Sequence, residues 1–477
     1  MTVMSTSIAL GSAERPVRVA IVGSGPSGFF AAGFLLGHKD LVFEVDLFDR
    51  LPSPYGLLRN GVAPDHQQIK RIERVYRKTA AKFGFRFFGN VKIGDDIPVE
   101  TLAKHYDQVV YAVGNESSRR LNIPGIDLQN SDSATAFVGW YNGHPDFVDR
   151  GYDLEHTTSV VVVGVGNVSM DVVRILAHDP DDLARTDIAE PALAVLRKSN
   201  VREIWVLGRR GPAQAAYTPH EIQELIKLPG ADVVVRPEEV KLDPLSAAWL
   251  AENPDLNVSK NVEAVHKQAA VGEGSRPTKI RLRLLTSPVE VMGDEGRVAA
   301  VRIEKNELYL NDRGQLRPRG TGQHEQVDAQ LVLRAVGYRG IPIEGLPFDT
   351  DLGIIPNQGG RVCQSASSDA ILPHTYVVGW AKRGPTGLVG TNRGDAKDTV
   401  EKMIEDLQGR MVTDDPNKTT RAAAEMVARH QTAFVSFEDW AHLDQLEIER
   451  GQAMGKVRDK FIRVEDMLEA LRNRGKQ

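Results

Sequence analysis

The chain has 477 residues, 41% of them apolar and 26% charged, which is the balance of a globular protein too long for one ordinary core and suited to two domains. A net charge of −5 gives no general pull toward nucleic acid or lipid, and no apolar run approaches the ~20 residues that span a membrane. The single cysteine, Cys363, excludes an internal disulfide, a Cys-x-x-Cys pair and a four-cysteine metal or iron–sulfur site. No protein-held metal is expected, and any redox chemistry must run on an organic cofactor. Cys363 itself reads as a small buried hydrophobe, and one unpaired thiol fits a reducing cytoplasm.

Residues 1–14 are small and polar, with little positive charge. They resemble neither a secretory signal nor an Arg-rich transit peptide, and a disordered tail is expected there. Ordered sequence begins near Arg15. "VRVAIVG" predicts a buried parallel strand over Val17 to Gly23. "GSGPSG" follows, then an apolar helix from Phe29 to Leu36 and a second strand, Phe43 to Phe48, ending at Asp49 and Arg50. This is a strand–glycine turn–helix–strand unit.

From His66 to Lys82 the spacing predicts one helix. Ile69, Ile72, Val75 and Tyr76 fall on one face and Lys70, Arg71, Arg74, Arg77 and Lys78 on the other. Its basic face reads as a solvated surface or as a dock for an acidic partner. "DQVVYAVGN" closes this first half-fold as a strand, Asp107 to Asn115. The grammar then repeats in "SVVVVGVGNVSMDVVRILA", Ser159 to Ala177, with its next strand at "REIWVLGRRG". "AQLVLRAVGY", Ala329 to Tyr338, echoes the closing strand. Between Val233 and Gln326 the pattern suggests short strands and polar turns. A strand at Tyr376 to Gly379, a glycine-rich loop, a helix from about Asp395 and amphipathic helices over the last fifty residues complete the chain.

Gly23-x-Gly25-x-x-Gly28 has a strand before it and a helix after it. Gly23 allows the turn, Gly25 allows a pyrophosphate to approach the backbone, and Gly28 allows close helix–strand packing. Pro26 and Ser27 open the helix, whose free N–H groups attract the pyrophosphate. Asp49, 21 residues after Gly28, stands where a carboxylate accepts from ribose hydroxyls. The second fingerprint, Gly164-x-Gly166-x-x-Ser169, has no such acid downstream. Its next strand ends in Arg209-Arg210, a pair suited to a 2′-phosphate that a carboxylate there would repel. The first site therefore predicts FAD and the second NADP(H).

Several longer runs resemble the adrenodoxin-reductase-like ferredoxin–NADP⁺ reductases, including actinobacterial members, over about Arg15 to Leu471. They are "PSPYGLLRNGVAPDHQQIK" (Pro52 to Lys70), "VVVGVGNVSMDVVRIL" (Val161 to Leu176), "LGRRGPAQAAYTPHEIQEL" (Leu207 to Leu225), "VVGWAKRGPTGLVGTN" (Val377 to Asn392) and the tail from Phe437 through Val464 to Leu471. The resemblance implies an α/β fold of two Rossmann-like dinucleotide-binding domains, with the NADP domain (116–339) inserted within the FAD domain (15–115 and 340–477). It implies hydride transfer between NADPH and FAD, then single-electron transfer to an acidic ferredoxin-type iron–sulfur protein. It places a His-and-acid pair on His66 and Asp171 and an NADP contact on Glu221. Further cofactor contacts fall on Arg50, Gly56, Leu57, Asn167, Val168, Gly379, Trp380, Gly387, Leu388, Val389 and Thr391. A monomer or weak dimer is expected.

Read as residues alone, some of these stay open. Asp65 with Gln68 has the form of a capping box. His66 reads as a packed histidine or as a group that positions a proton near the flavin. Asp171 reads as its partner or as a local hydrogen-bonder near its own helix start. A flavoprotein serving another acceptor (a quinone or a monooxygenase) and a non-catalytic nucleotide sensor also fit the two fingerprints. The glycines around Gly387 favour turnover over sensing.

Overall fold

The computed structural model describes residues 8–387, 389–413 and 415–474. Two sheets organise the molecule. The larger has seven strands in the order Asn357–Gln358, Arg361–Ser365, Ser368–Val377, Gln108–Tyr111, Val17–Val22, Phe43–Phe48 and Phe85–Phe88. The last five run parallel, and the first two are added antiparallel at the edge. Every residue of Val17–Val22 is buried, as a central parallel strand covered on both faces must be. Each fully buried Val or Ile there contributes roughly 1.5–3 kcal/mol of burial free energy. Helix Pro26–Leu35 follows the first glycine loop, with proline in the first turn where a missing N–H costs nothing, and packs on helix Val389–Glu405. Phe29, Tyr55, Tyr76 and the fully buried Trp440 of helix Phe437–Ala453 extend this core to the C-terminal helices.

The second sheet has six parallel strands in the order Ala231–Val235, Thr278–Arg283, Glu203–Leu207, Ser159–Val163, Leu331–Arg334 and Ser131–Ser133. All its strands fall between two segments of the first sheet, so one α/β dinucleotide fold is inserted within the other. The chain crosses between the folds twice, and both crossings meet in a two-stranded antiparallel link of Ser117–Ser118 with Tyr338–Arg339. An antiparallel sheet of Thr286–Asp294, Arg297–Leu310 and Leu316–Asp328 projects from the inserted fold.

Several expectations are corrected. The tail is not structureless over its second half: Ile8–Ala9 pairs with Met411–Val412, and Leu10 is buried. The segment from Val233 to Gln326 holds two substantial helices, Pro244–Glu252 and Leu256–Val271. Asp243 and Asp255 cap them by accepting first-turn N–H groups at 2.7–3.2 Å. The last-loop helix starts at Val389, six residues before Asp395. The helix expected from His66 to Lys82 breaks into Gln67–Lys70 and Glu73–Ala80. Its apolar residues divide accordingly: Tyr76 is fully buried, while Ile69 and Val75 are exposed. Asp65 forms no capping box, because His66 takes the N-cap position without a side-chain cap and Asp65 is drawn to Arg174.

Candidate functional site

The first glycine loop is shaped by contacts only glycine permits. Gly23 has φ +107°, and a Cβ there would lie 2.4 Å from the Ala112 carbonyl oxygen. A Cβ on Gly28 would lie 2.1 Å from the Gly23 oxygen. At Gly25 a Cβ would meet nothing within 4 Å, so the backbone there faces open space. Two distant segments close on this loop. Tyr55 donates its N–H to the Ser24 carbonyl at 3.0 Å, bringing Gly56 against Gly25 just before Leu57 opens a short helix. Gly379 packs on Ser27 and donates its N–H to Asp395 Oδ2 at 2.5 Å.

Asp49 lies beside the loop. Its Oδ2 accepts from the Ser24 N–H at 2.9 Å and from Ser24 Oγ at 2.5 Å, and Oδ1 accepts from the Leu51 N–H. Each carboxylate oxygen can accept more than one bond, so capacity for a diol remains. The Arg50 side chain does not join this convergence, because Glu116 and Asp146 hold its guanidinium at 3.1 and 2.7 Å. Asn115, just past the closing strand, is 2% exposed, and both ends of its carboxamide lack a protein partner among the described residues. Open space at Gly25 and an orphaned buried amide fit a bound dinucleotide.

The second loop repeats the design. Gly164 has φ +128° against the Ala335 oxygen, and Gly166, like Gly25, has nothing within 4 Å of a built Cβ. Asn167 and Val168 open helix Asn167–Ala177, where Val168 packs on the core. Asn167 Oδ1 accepts from the Thr218 N–H at 2.8 Å, tying this loop to helix Pro219–Ile226. Arg209 is exposed and Arg210 half-buried, and neither pairs with a carboxylate among the described residues. Burial, then Arg209 and Arg317, hold the Arg210 guanidinium below its ordinary pKa. Arg317 was not singled out from the sequence, because only the fold brings its distant hairpin to the pair. A cluster of cations without counter-charge fits a phosphate.

Between the two folds lies a buried charge cluster. Arg174 is 3% exposed. Its guanidinium contacts Asp65 at 2.5 Å, Asp171 at 2.6 Å and Glu221 at 3.2 Å. His66 is 3.7 Å from Asp171, and its Nε2 lies much closer to Glu224, at 2.9 Å. Glu224 also approaches the exposed His220 at 3.5 Å. Burial pushes the Asp171 carboxyl above its ordinary range against the pull of Arg174, and burial, then Asp171, push Glu221 the same way. Burial also raises Asp65, but the hydrogen bonds and charge of Arg174, with the nearby histidines, together outweigh it and hold this carboxyl below its usual value. His66, Asp171 and Glu221 hold polar atoms within 4.8 Å of one another, a donor set a cation could use. Arg174 already supplies positive charge to the two carboxylates. The sequence reading missed Arg174 and Glu224. A lone arginine in the apolar run "DVVRIL" was the available signal for the first.

Trp380 starts a one-turn helix, donates Nε1–H to the Thr386 carbonyl at 3.2 Å and packs on Tyr338 at a tilt of 39°, with ring centroids 5.3 Å apart. Burial, then Asp171, push the Tyr338 hydroxyl up to about 12. Gly387 has φ +78° and packs on Thr391, with Val389 at the start of the next helix. Leu388 lies outside the described residues. A cleft of about 540 Å³ opens beside this helix start, lined by Phe30, Ile69, Ile72, Val75, Val389 and Arg393.

No family model matches the chain. It is 44% identical over 462 residues to the NADPH-ferredoxin reductase FprA of Mycobacterium tuberculosis, covering 95% of this chain and 99% of that protein. It is 38% identical over 468 residues to human mitochondrial NADPH:adrenodoxin oxidoreductase, covering 96% of this chain and 92% of that one. The solved structure of M. tuberculosis FprA in complex with NADPH superposes with a TM-score of 0.88 at 42% identity, covering 96% of this chain and all of that one. Identity at this level along nearly the full length, with both glycine loops in place, makes the chain a member of the family of NADPH-ferredoxin reductases and NADPH:adrenodoxin oxidoreductases.

Proposed function

We infer that this protein is an FAD-containing NADPH–ferredoxin oxidoreductase. The observation that carries the reading is the asymmetry of the two glycine loops, one beside a carboxylate and the other beside two arginines that pair with no carboxylate among the described residues. FAD, when bound, accepts a hydride from the nicotinamide and releases electrons one at a time. Gly23, Gly25, Pro26, Ser27, Gly28 and Asp49, with Gly56, Leu57, Gly379, Val389 and Thr391, would hold the FAD. Gly164, Gly166, Asn167, Val168, Arg209, Arg210 and Glu221 would hold NADP(H). Trp380 supplies an aromatic wall, and Gly387 lets backbone approach the rings. His66 and Asp171 position a proton, with Glu224 orienting His66. Domain limits of 15–115 with 340–477, and 116–339, are supported by the two-stranded link at 117–118 and 338–339.

The partner is an iron–sulfur protein, and an acidic one suits the cleft lined by Ile69, Val75 and Val389. Arg393 lines it, and Arg71, Arg74 and Lys78 neighbour its lining residues Ile72 and Val75 in the chain. All four are exposed and pair with no carboxylate among the described residues. Lys70 and Arg77 are unavailable, tied to Asp187 and to Glu73 and Asp444. No described helix is long and apolar enough to cross a membrane, and the free buried Cys363 supports a cytoplasmic setting. Rapid mixing with NADPH and separately with NADH, following the flavin's visible absorbance, tests the function. Fast bleaching by NADPH and slow bleaching by NADH is the expected result, and a flavin that NADPH does not bleach removes the enzyme.

A further inference from the structure

The loop that carries Arg209 and Arg210 is held from behind by one buried amide. Asn306 is 4% exposed on strand Arg297–Leu310. Its Nδ2 donates to the Arg209 carbonyl at 2.9 Å and to Ser287 Oγ at 2.8 Å. Its backbone N–H donates to the Leu285 carbonyl at 2.6 Å, and the Leu285 N–H donates to the Arg210 carbonyl at 3.1 Å. Leu285 holds φ +51°, a costly conformation for its side chain that persists where the surroundings over-determine it. The strand register shifts between Glu304 and Asn306, and such an irregularity re-aims a side chain.

The Arg209 carbonyl is thus fixed by the projecting sheet and the Arg210 carbonyl by the short link that leads into it, not by the strand that precedes the arginines. On its other side the loop packs closely on the second glycine loop: a Cβ on Gly208 would lie 2.9 Å from Val165 Cγ1. The same hairpin returns along Leu316–Asp328, where Arg317 lies opposite Tyr309, three residues along the strand from Asn306. Arg317 is exposed, donates Nη2–H to Gln315 Oε1 at 2.7 Å, has no carboxylate partner among the described residues, and its charge reaches Arg210.

We propose that this hairpin sets nucleotide selectivity: Asn306 is a positioning residue for the Arg209–Arg210 loop, and Arg317 is a third guanidinium for the 2′-phosphate. An unsatisfied loop carbonyl, once freed from Asn306, turns toward water and takes its guanidinium with it. The proposal rests on Arg209 and Arg210 being the 2′-phosphate site.

The test measures binding of 2′,5′-ADP and of 5′-AMP to the FAD-loaded enzyme by calorimetry, with KM for NADPH and NADH alongside. The variants are Asn306→Leu, which removes the donor without adding charge, Arg317→Ala and Arg209→Ala. Arg317→Ala should weaken 2′,5′-ADP about three- to tenfold and leave 5′-AMP unchanged, in line with one charge-assisted contact. Asn306→Leu should lose about tenfold or more for 2′,5′-ADP only, as KM for NADPH rises and KM for NADH does not. Equal loss of both ligands in Asn306→Leu would reduce Asn306 to a structural role and overturn its part. Should Asn306→Leu fail to fold, Arg317→Ala decides, and unchanged discrimination there overturns the proposal. Unchanged discrimination in Arg209→Ala is a different result, because it removes the underlying site.

Discussion

His66 reaches from the outer fold to Glu224 of the inserted fold, with Nε2 2.9 Å from Oε2. The contact joins a loop of one domain to helix Pro219–Ile226 of the other, so it forms only when the domains are docked. Asp171 stands on the opposite side of the ring, farther away at 3.7 Å. His66→Gln and Glu224→Gln should each slow ferredoxin-linked cytochrome c reduction several-fold, and the double variant should be little worse than His66→Gln, since coupled residues are non-additive. Steady-state rates check this. Fully additive losses would mean that the two residues act separately.

Arg209→Ala and Arg210→Ala should each raise KM for NADPH about tenfold or more, the scale of a lost charge-assisted contact of ~1.5 kcal/mol or more. The gap to NADH should narrow. An unchanged NADPH/NADH ratio in both variants would sink the assignment of the second site.

Arg174 supplies the positive charge for three neighbouring acids. Arg174→Met should destabilise the protein by about 3–5 kcal/mol, because it leaves buried carboxylates without their counter-charge. Asp171 and Glu221, already pushed above their ordinary range by burial, would take up protons. Thermal unfolding of the FAD-loaded variant reads the loss, and an unchanged Tm would show that water replaces the guanidinium at little cost.

Asp187 is clamped between Lys70 at 2.7 Å and Lys460 at 3.0 Å, and Lys460 also donates to the Arg59 and Asn142 carbonyls. Burial raises the Asp187 carboxyl, but the two lysines outweigh it and hold it well below its ordinary value of 3.8. The unfolded chain therefore binds the proton more readily, so this stabilisation is present above the ordinary carboxylate pKa and is lost as pH falls through and below it. Asp187→Asn should flatten the acid limb of a Tm-against-pH curve and lower Tm at neutral pH. A wild-type acid limb in the variant would place the acid sensitivity elsewhere.

Arg71→Glu with Arg74→Glu should raise KM for an acidic ferredoxin and weaken the salt dependence of its turnover, with NADPH-driven flavin bleaching as the control. Ferredoxin kinetics across a salt series check this, and an unaltered salt dependence would move the dock off this face.

The sequence by itself determined the two dinucleotide folds, their order and their cofactor preference. Strand Val17–Val22, the glycines that a Cβ would jam and the contrast of Asp49 with Arg209-Arg210 are local facts. Steric and charge requirements at fixed spacing write them directly into the chain. Helices Pro244–Glu252 and Leu256–Val271 were legible only through their aspartate caps, because their faces are mostly exposed and carry little apolar pattern. What only the tertiary structure decided are the partners of charged groups far apart in sequence. Glu224 took His66, Arg174 took Asp65 away from a helix cap, Glu116 and Asp146 took Arg50, and Asn306 reached the Arg209 carbonyl across a projecting sheet. Desolvation makes each buried charge or amide bind whatever complementary group the fold brings near, and sequence spacing carries no record of that proximity.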